Sequence, residues 1–121
     1  MAKILIAEDE GTLIDIMSKA VNSMGHTAIK SRNGRVAWDI LCDNNDIELL
    51  ITDVSMPEMD VEELVKHIRQ DSDLSEIPIL IMSGVIRAKD ISNLLKVGAT
   101  AFLPKPVAIN DLKDFINNNL S

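Results

Sequence analysis

Short apolar runs alternate with segments whose apolar residues recur at helical spacing, and this alternation repeats five times along the chain. The runs of three to six residues are typical of buried strands, whereas recurrence at every third and fourth position indicates one face of a helix. The predicted strands cover residues 4–7, 27–30, 47–52, 78–82 and 101–103, and the helical faces between and after them include Leu13, Val36, Leu64, Ile91 and Leu112.

Residues with special backbone preferences mark the ends of several predicted helices. Gly25 and Gly98 follow the last apolar positions of the first and fourth helices, where glycine commonly ends a helix. Asn33 stands where it can cap the second helix. Asp60 with Glu63 three residues later matches a capping box in which aspartate replaces serine or threonine.

Five strands, each followed by a helix, predict an α/β fold with a parallel sheet covered by helices on both faces. The nearly unbroken apolar strands agree, because a strand buried on both sides need not alternate. Right-handed crossovers with one reversal of chain direction would give a doubly wound sandwich. The length of 121 residues, without an internal repeat or linker, predicts a single domain spanning residues 1–121.

Composition excludes several classes of protein. Hydrophobic residues make up 46% of the chain, which argues against disorder, and a net charge of −7 argues against direct binding to nucleic acid or an anionic membrane. No apolar run approaches the length of a membrane span or a signal-peptide core, so we expect a cytoplasmic protein. Cys42, the single cysteine, excludes an internal disulfide and a multi-cysteine zinc site. We expect it to be a partly buried small hydrophobe.

Polar and charged side chains stand at the ends of four of the five predicted strands. Such residues are ordinary loop starts when they follow one strand, but four strand ends together are harder to explain in this way. Because the carboxyl ends of parallel strands share one edge of a sheet, we expect these side chains to converge. They are Glu8 and Asp9 after the first strand, Asp53 after the third, Ser83 after the fourth and Lys105, between two prolines, after the fifth.

The charges of this set suggest a chemistry. Three ionised carboxylates and one lysine leave two negative charges unbalanced, which either raised pKa values or a divalent cation would relieve. Oxygen ligands without a neighbouring histidine favour Mg²⁺ over zinc. A carboxylate surrounded by Mg²⁺, a lysine and a hydroxyl has the parts for phosphoryl transfer, with Asp53 as the attacking group.

The chain resembles the receiver domain of two-component response regulators over essentially its whole length. The resemblance is carried by Glu8-Asp9, by the acceptor segment Asp53-Val54-Ser55-Met56-Pro57, by Ser83, and by residues 98–106, which end in Lys105-Pro106. It implies a flavodoxin-like sheet with strand order 2-1-3-4-5.

The resemblance implies that Asp53 accepts a phosphoryl group from a phosphohistidine on a sensor histidine kinase or a phosphotransfer protein. Asp9, Asp53 and the backbone carbonyl of Ser55 would bind Mg²⁺ directly, and Glu8 would act mainly through water. Ser83 and Lys105 would each bind a phosphoryl oxygen.

The resemblance also implies how phosphorylation of the site would change the surface that binds downstream partners. A cis peptide bond between Lys105 and Pro106 would aim the lysine, and Phe102 would turn inward when Ser83 moves toward the phosphate. The output face would be the fourth helix, fifth strand and fifth helix, residues 89–118, which would control a downstream effector or output domain. Dimerisation on phosphorylation is compatible with this reading. We expect a signalling switch that phosphorylates and dephosphorylates itself, without turnover of small molecules.

Several positions depart from common receiver sequences. Glu8 stands where aspartate is frequent, although the family also uses glutamate there. Phe102 replaces a frequent tyrosine, which excludes switching through a ring hydroxyl, and Val61 stands where many members have glycine. Ser55 and Val85 flank the path of the attacking water in this family, and neither orients water well. We therefore expect an acyl phosphate that lives longer than in fast chemotaxis-type members.

Three other functions fit parts of the sequence. Haloacid-dehalogenase-type hydrolases use a similar set, but they typically need a second aspartate where this chain has Ser55, and no cap domain fits in its length. A nucleotide- or flavin-binding sandwich would need a glycine-rich phosphate loop, which is missing. A docking module that has lost phosphorylation would not need the complete acceptor set.

For Phe102, core packing alone is the alternative to a switch role.

Overall fold

The computed structural model describes residues 2–44, 46–54, 60–84 and 88–120, which alternate between strands and helices. The elements are β1 Lys3–Ala7, α1 Gly11–Ser23, β2 Thr27–Ser31, α2 Gly34–Asp43, β3 Ile47–Asp53, α3 Val61–Gln70, β4 Ile79–Ser83, α4 Ala88–Val97, β5 Ala101–Pro104 and α5 Ile109–Asn119. All neighbouring strands pair in parallel, in the order β2-β1-β3-β4-β5. The predicted fold class and strand order are confirmed.

The strand ends differ from the predicted ones by a single residue in several places, and these differences bear on the site. β3 continues to Asp53 and β4 to Ser83, so both residues belong to the sheet itself rather than to the loops after it. β4 begins at Ile79 rather than at Pro78. Proline has no N–H to give to a ladder, but the Pro78 carbonyl still accepts a hydrogen bond of 3.0 Å from the Leu50 amide.

The sheet separates two hydrophobic cores, because successive side chains of each strand point to opposite faces. In β1, Ile4 and Ile6 pack on the side of α1 and α5, whereas Leu5 and Ala7 pack on the side of α2, α3 and α4. Burial on both faces explains why β1, β3 and β4 are almost continuously apolar. The central strands therefore have their carboxyl ends at one edge of the sheet, anchored by cores on both faces.

The helix ends follow the sequence signals. The Asn33 side chain accepts a hydrogen bond of 2.8 Å from the Val36 amide, and Gly25 and Gly98 adopt φ angles of 87° and 129°. Asp60 caps α3, but its carboxylate accepts from the Glu62 amide at 2.8 Å, one position earlier than the capping-box geometry predicts.

Arg69 of α3 connects the residue that follows α4 to the loop that precedes β4. Its Nε and Nη2 donate to the Gly98 carbonyl at 2.9 and 2.7 Å, and its Nη1 donates to the carbonyls of Ser75 and Ile77 at 2.9 and 2.8 Å. Burial lowers the pKa of this guanidinium. A Cβ atom at Gly98 would lie 2.7 Å from Arg69 Cγ, so a glycine is required both for its φ angle and for this approach.

The sequence analysis predicted a partly buried side chain for Cys42, and this prediction was wrong. The residue follows buried Leu41 on α2 and faces outward, so its side chain is exposed. On the same side of the molecule, the ring of Trp38 lies 5.2 Å from the exposed His67 ring, measured between centroids.

Among the described residues, none of the helices has both the length and the apolar character that crossing a membrane requires. The cytoplasmic location stays a prediction.

Candidate functional site

The carboxyl ends of β1, β3 and β5 bring together the side chains of Glu8, Asp9, Asp53 and Lys105, and Ser83 ends β4 at the same edge of the sheet. Asp53 is the last residue of β3 and is 5% exposed, and Glu8, which directly follows β1, is fully buried. Asp9 is exposed beside them, and Lys105 follows β5. The predicted convergence of these strand ends is confirmed.

Lys105 bridges two of the carboxylates. Its Nζ lies 2.8 Å from Glu8 Oε1 and 2.9 Å from Asp53 Oδ2. Its backbone amide donates to the Ser83 carbonyl at 2.8 Å, which continues the pairing of β4 with β5 beyond the last strand residue. The peptide bond between Lys105 and Pro106 is cis, as the resemblance implies. Contacts with neighbouring strand ends therefore hold both the backbone amide and the ammonium of Lys105.

Glu8 is a buried acid whose two oxygens both have polar neighbours. Oε2 accepts a hydrogen bond of 3.0 Å from the Glu10 amide, while Oε1 faces Lys105. Burial raises the pKa of Glu8, and the nearby Asp53 charge adds to this effect. The contacts with Lys105 and with the Glu10 amide oppose the rise without cancelling it.

The pKa of Lys105 responds to two opposed influences. Burial lowers it, but the hydrogen bonds and charges of Glu8 and Asp53 together outweigh burial, so the pKa lies above the ordinary lysine value. The side chain therefore stays cationic, and it partly compensates the acidic cluster at this edge of the sheet.

The same cluster has the donor set of a hard divalent cation. Glu8, Asp9 and Asp53 each place one carboxylate oxygen within 4.8 Å of the others. The ligands are all oxygens, and exposed Asp9 leaves one side open to water, as Mg²⁺ sites generally require. The residues present therefore fit Mg²⁺. Ser55, the predicted carbonyl ligand, lies outside the described residues, as do Met56 and Pro57.

Ser83 and Phe102 lie on the two strands at the α4 side of the cluster. Ser83 ends β4 and is 7% exposed. Phe102 pairs in register with Ile81 and is half-buried against the core under α4, where it lines an apolar crevice with Leu94 and Leu95. Val85, expected beside the water path, lies outside the described residues. Val61, at a common glycine position, is buried as the first residue of α3.

One residue at this edge escaped the sequence analysis. Arg32 directly follows β2, and its Nη2 donates a hydrogen bond of 2.9 Å to the backbone carbonyl of Asp9. The strand order offered the necessary signal, because β2 is the neighbour of β1 and its carboxyl end lies at the same edge.

A groove of about 530 Å³ runs beside the cluster, between the start of α1 and the segment after β5. Lys105 and Glu10 contribute its polar part. Its remaining lining is mainly apolar and comes from Thr12, Leu13, Ile16, Pro106, Val107 and Ile109.

Comparisons with known proteins agree with this geometry. A family model described as the response regulator receiver domain matches residues 4–117. The chemotaxis protein CheY1 of Helicobacter pylori is 33% identical over 113 residues, which cover 93% of this chain and 91% of that protein. A chemotaxis protein CheY homolog of Campylobacter jejuni is 31% identical over 119 residues, or 98% of this chain and 92% of that protein. The solved structure of chemotaxis response regulator CheY4 of Vibrio cholerae has a TM-score of 0.91 at 28% identity, with 99% of each chain covered.

Proposed function

The chain belongs to the response regulator receiver family of two-component signalling, and from its site geometry we propose that Asp53 is the phosphoryl acceptor. One observation carries this assignment. The Asp53 carboxylate lies 2.9 Å from the Lys105 ammonium, in a cluster of three carboxylates whose oxygens lie within 4.8 Å of one another. It is the acid in this cluster that ends the central strand β3.

The proposed reaction is transfer of a phosphoryl group from a phosphohistidine to Asp53. A carboxylate oxygen of Asp53 attacks phosphorus, a P–O bond forms, and the P–N bond to the imidazole breaks. The electron pair of that bond stays on the imidazole nitrogen, which takes up a proton from water. The product is an acyl phosphate on Asp53.

Lys105 and Ser83 are proposed to hold the transferred group. Phosphorylation removes the charge of the Asp53 carboxylate, so the lysine loses one of its two anionic partners and gains a phosphoryl oxygen close by. Ser83, on the neighbouring strand, would donate its hydroxyl to another phosphoryl oxygen. Both contacts would be to phosphoryl oxygens, which carry the negative charge of the transferred group.

Asp9 and Asp53, with the Ser55 carbonyl, are proposed to hold Mg²⁺ directly. Glu8 is better suited to act through water, because its two oxygens already face Lys105 and the Glu10 amide. When bound, Mg²⁺ supplies positive charge for the phosphoryl oxygens as the bond to Asp53 forms.

Receiver domains of this family interact with histidine kinases and with downstream targets, and the groove beside Lys105 offers a surface for the phosphoryl donor. Its lining is mainly apolar, it includes Lys105, which contacts the acceptor Asp53, and Ile16 in it is 46% exposed. We propose that the histidine-bearing element of a kinase or phosphotransfer protein docks here, where burial of Ile16 would stabilise the complex.

The family acts as a signalling switch, and we propose that the switch here involves the crevice under α4. Phe102 and Leu95 line that crevice, and Leu95 is 43% exposed. A change in Phe102 position would alter the face formed by α4, β5 and α5, which would bind an effector, an output domain or a second phosphorylated copy. Hydrolysis of its own acyl phosphate is the only turnover expected.

The first experiment measures the intact mass of the protein after incubation with acetyl phosphate and Mg²⁺. We expect a gain of one phosphoryl group that requires Mg²⁺ and is absent in Asp53→Asn. Asp15→Asn is the matched control, because Asp15 is an exposed carboxylate paired with Lys30 outside the cluster.

Absence of the phosphoryl gain in the wild type, with no Mg²⁺ binding, would contradict the proposal and favour the docking-module alternative. Continuous release of phosphate from many small phosphate esters would instead favour a hydrolase. The lifetime of the acyl phosphate can be followed in the same samples, and a half-life of seconds would refute the long lifetime expected from Ser55 and Val85.

A further inference from the structure

Arg32 ties the acidic loop after β1 to the turn after β2. The turn is itself well fixed, because the buried Ser31 hydroxyl donates to the Asn33 carbonyl at 2.7 Å and Asn33 caps α2. From this fixed position, Arg32 Nη2 donates to the Asp9 carbonyl at 2.9 Å. A residue 23 positions away in sequence thereby restrains the backbone of Asp9.

The neighbours of Asp9 are anchored separately. The Glu8 amide donates to the Ser31 carbonyl at 2.9 Å, and the Glu10 amide donates to Glu8 Oε2 at 3.0 Å. Asp9 itself is exposed, in contrast to Glu8 and Asp53. The bond from Arg32 therefore restrains the backbone of Asp9, the one acidic residue of the cluster whose side chain is not buried.

We propose that Arg32 is a positioning residue for the cation site. By holding the Asp9 carbonyl, it fixes the direction in which the Asp9 carboxylate leaves the backbone, and this raises the affinity of the site for Mg²⁺. The inference rests on the proposed function, because it concerns the same site.

The opposite effect would follow if Arg32 acted only through its charge. A guanidinium close to an acidic cluster repels a divalent cation, so its removal would tighten Mg²⁺ binding. The two roles therefore predict changes of opposite sign. The bond to a carbonyl oxygen rather than to a carboxylate favours the positioning role.

The test is calorimetric titration of Mg²⁺ into the whole unphosphorylated protein. We expect Arg32→Ala to weaken Mg²⁺ binding by about two- to tenfold, the effect of one lost hydrogen bond. Arg32→Lys, which keeps a cationic donor, should recover part of this loss. Arg35→Ala is the matched control, since it removes the same charge from an exposed arginine paired with Asp39, and Mg²⁺ affinity should change less than in Arg32→Ala.

A second measurement follows the backbone directly. Amide NMR spectra of the Mg²⁺-free Arg32→Ala protein should show shifts concentrated at Asp9, Glu10 and Gly11. Unchanged or tighter Mg²⁺ binding in Arg32→Ala, while the wild type binds Mg²⁺ normally, would overturn this inference alone. Absence of Mg²⁺ binding in the wild type would instead overturn the proposed function, and this inference with it.

Discussion

The Lys105 ammonium lies 2.9 Å from Asp53 Oδ2, so the side chain that follows β5 reaches across the end of β4 to the last residue of β3. The same ammonium lies 2.8 Å from Glu8 Oε1, after β1. A single cation therefore joins the ends of three strands. We therefore expect Lys105 to contribute to the stability of the folded protein as well as to the proposed chemistry.

Replacing Lys105 with methionine should have opposite effects on stability and on cation binding. Without Mg²⁺, the buried Glu8 carboxylate loses its cation, and we expect the free energy of unfolding to fall by about 1–3 kcal/mol. Mg²⁺ should bind more tightly, because the cluster becomes more negative. Urea unfolding and calorimetric titration would measure the two effects, with Lys66→Met as an exposed control. Equal Mg²⁺ affinity in variant and wild type would contradict the expectation.

Glu8→Gln should change how stability depends on pH. Because the pKa of Glu8 is raised in the folded protein, the folded state holds this proton more tightly than the unfolded state does. Its contribution is fully present below the ordinary glutamate pKa and is lost as the pH rises through the raised value. Without Mg²⁺, the glutamine variant should therefore gain stability relative to wild type as the pH rises toward neutral.

Urea unfolding at a series of pH values would measure this relative gain. Glu63→Gln provides the control, since Glu63 is exposed in the first turn of α3. A pH-independent difference between Glu8→Gln and wild type would show that burial of Glu8 does not perturb its titration.

Arg69→Met should destabilise the protein by about 2–3 kcal/mol, because the carbonyls of Gly98, Ser75 and Ile77 lose a charged donor. Arg35→Met, at an exposed arginine, should change stability by less than about 0.5 kcal/mol. Chemical denaturation would compare the two. Similar stability losses in both variants would show that the buried contacts contribute little.

Gly98→Ala should also be destabilising, both through its φ of 129° and through the contact of its Cβ with the Arg69 side chain. In a double-mutant cycle, alanine at this position should cost less in an Arg69→Ala background, because the contact is gone and only the backbone strain remains. Strict additivity of the two losses would contradict this account.

Cys42 should react slowly for an exposed thiol. Neighbouring protein atoms displace some of the water around this exposed thiol and so raise its pKa, and the charges of Asp71, Asp39 and Asp43 raise the pKa further. The rate of alkylation by iodoacetamide should therefore reach its half-maximum at a higher pH than in a cysteine peptide. Asp43→Asn should move the profile part of the way back, and a profile identical to the peptide's would refute the prediction.

Ser83→Ala should separate phosphorylation from switching. The Lys105 amide bonds to the Ser83 carbonyl, which the substitution keeps, so the cluster should stay assembled and acetyl phosphate should still modify Asp53. Hydrogen-exchange mass spectrometry of the segment with Phe102 should then show a smaller phosphorylation-dependent change than in wild type. An equal change in both proteins would rule out the relay from Ser83 to Phe102.

The sequence was sufficient for the features that depend on local pattern. The apolar run of β3 predicted a buried strand, Asn33 predicted a cap, and the polar residues after the strands predicted which side chains meet. The contacts of Arg32 and Arg69 could not be predicted in this way. Each joins a side chain to a backbone carbonyl more than 20 positions away, and such contacts leave no periodic trace in the sequence.

The exposure of Cys42 and the two contacts of the Lys105 ammonium also could not be predicted from the sequence, because both depend on tertiary geometry. A helical pattern gives the approximate face of a residue, but exposure depends on where the neighbouring elements end. Likewise, strand order brings Lys105 near both Glu8 and Asp53, whereas only side-chain geometry shows that it contacts both.

The position of Lys105 also separates folding from metal loading. Zinc-finger domains fold only when their metal binds, because the free energy of metal binding supplies their free energy of folding. Here a covalently tethered ammonium already lies between two carboxylates, so a newly made chain does not need magnesium to reach its native structure. Metal supply would then govern signalling competence, and it would add to the stability of the folded protein only by mass action.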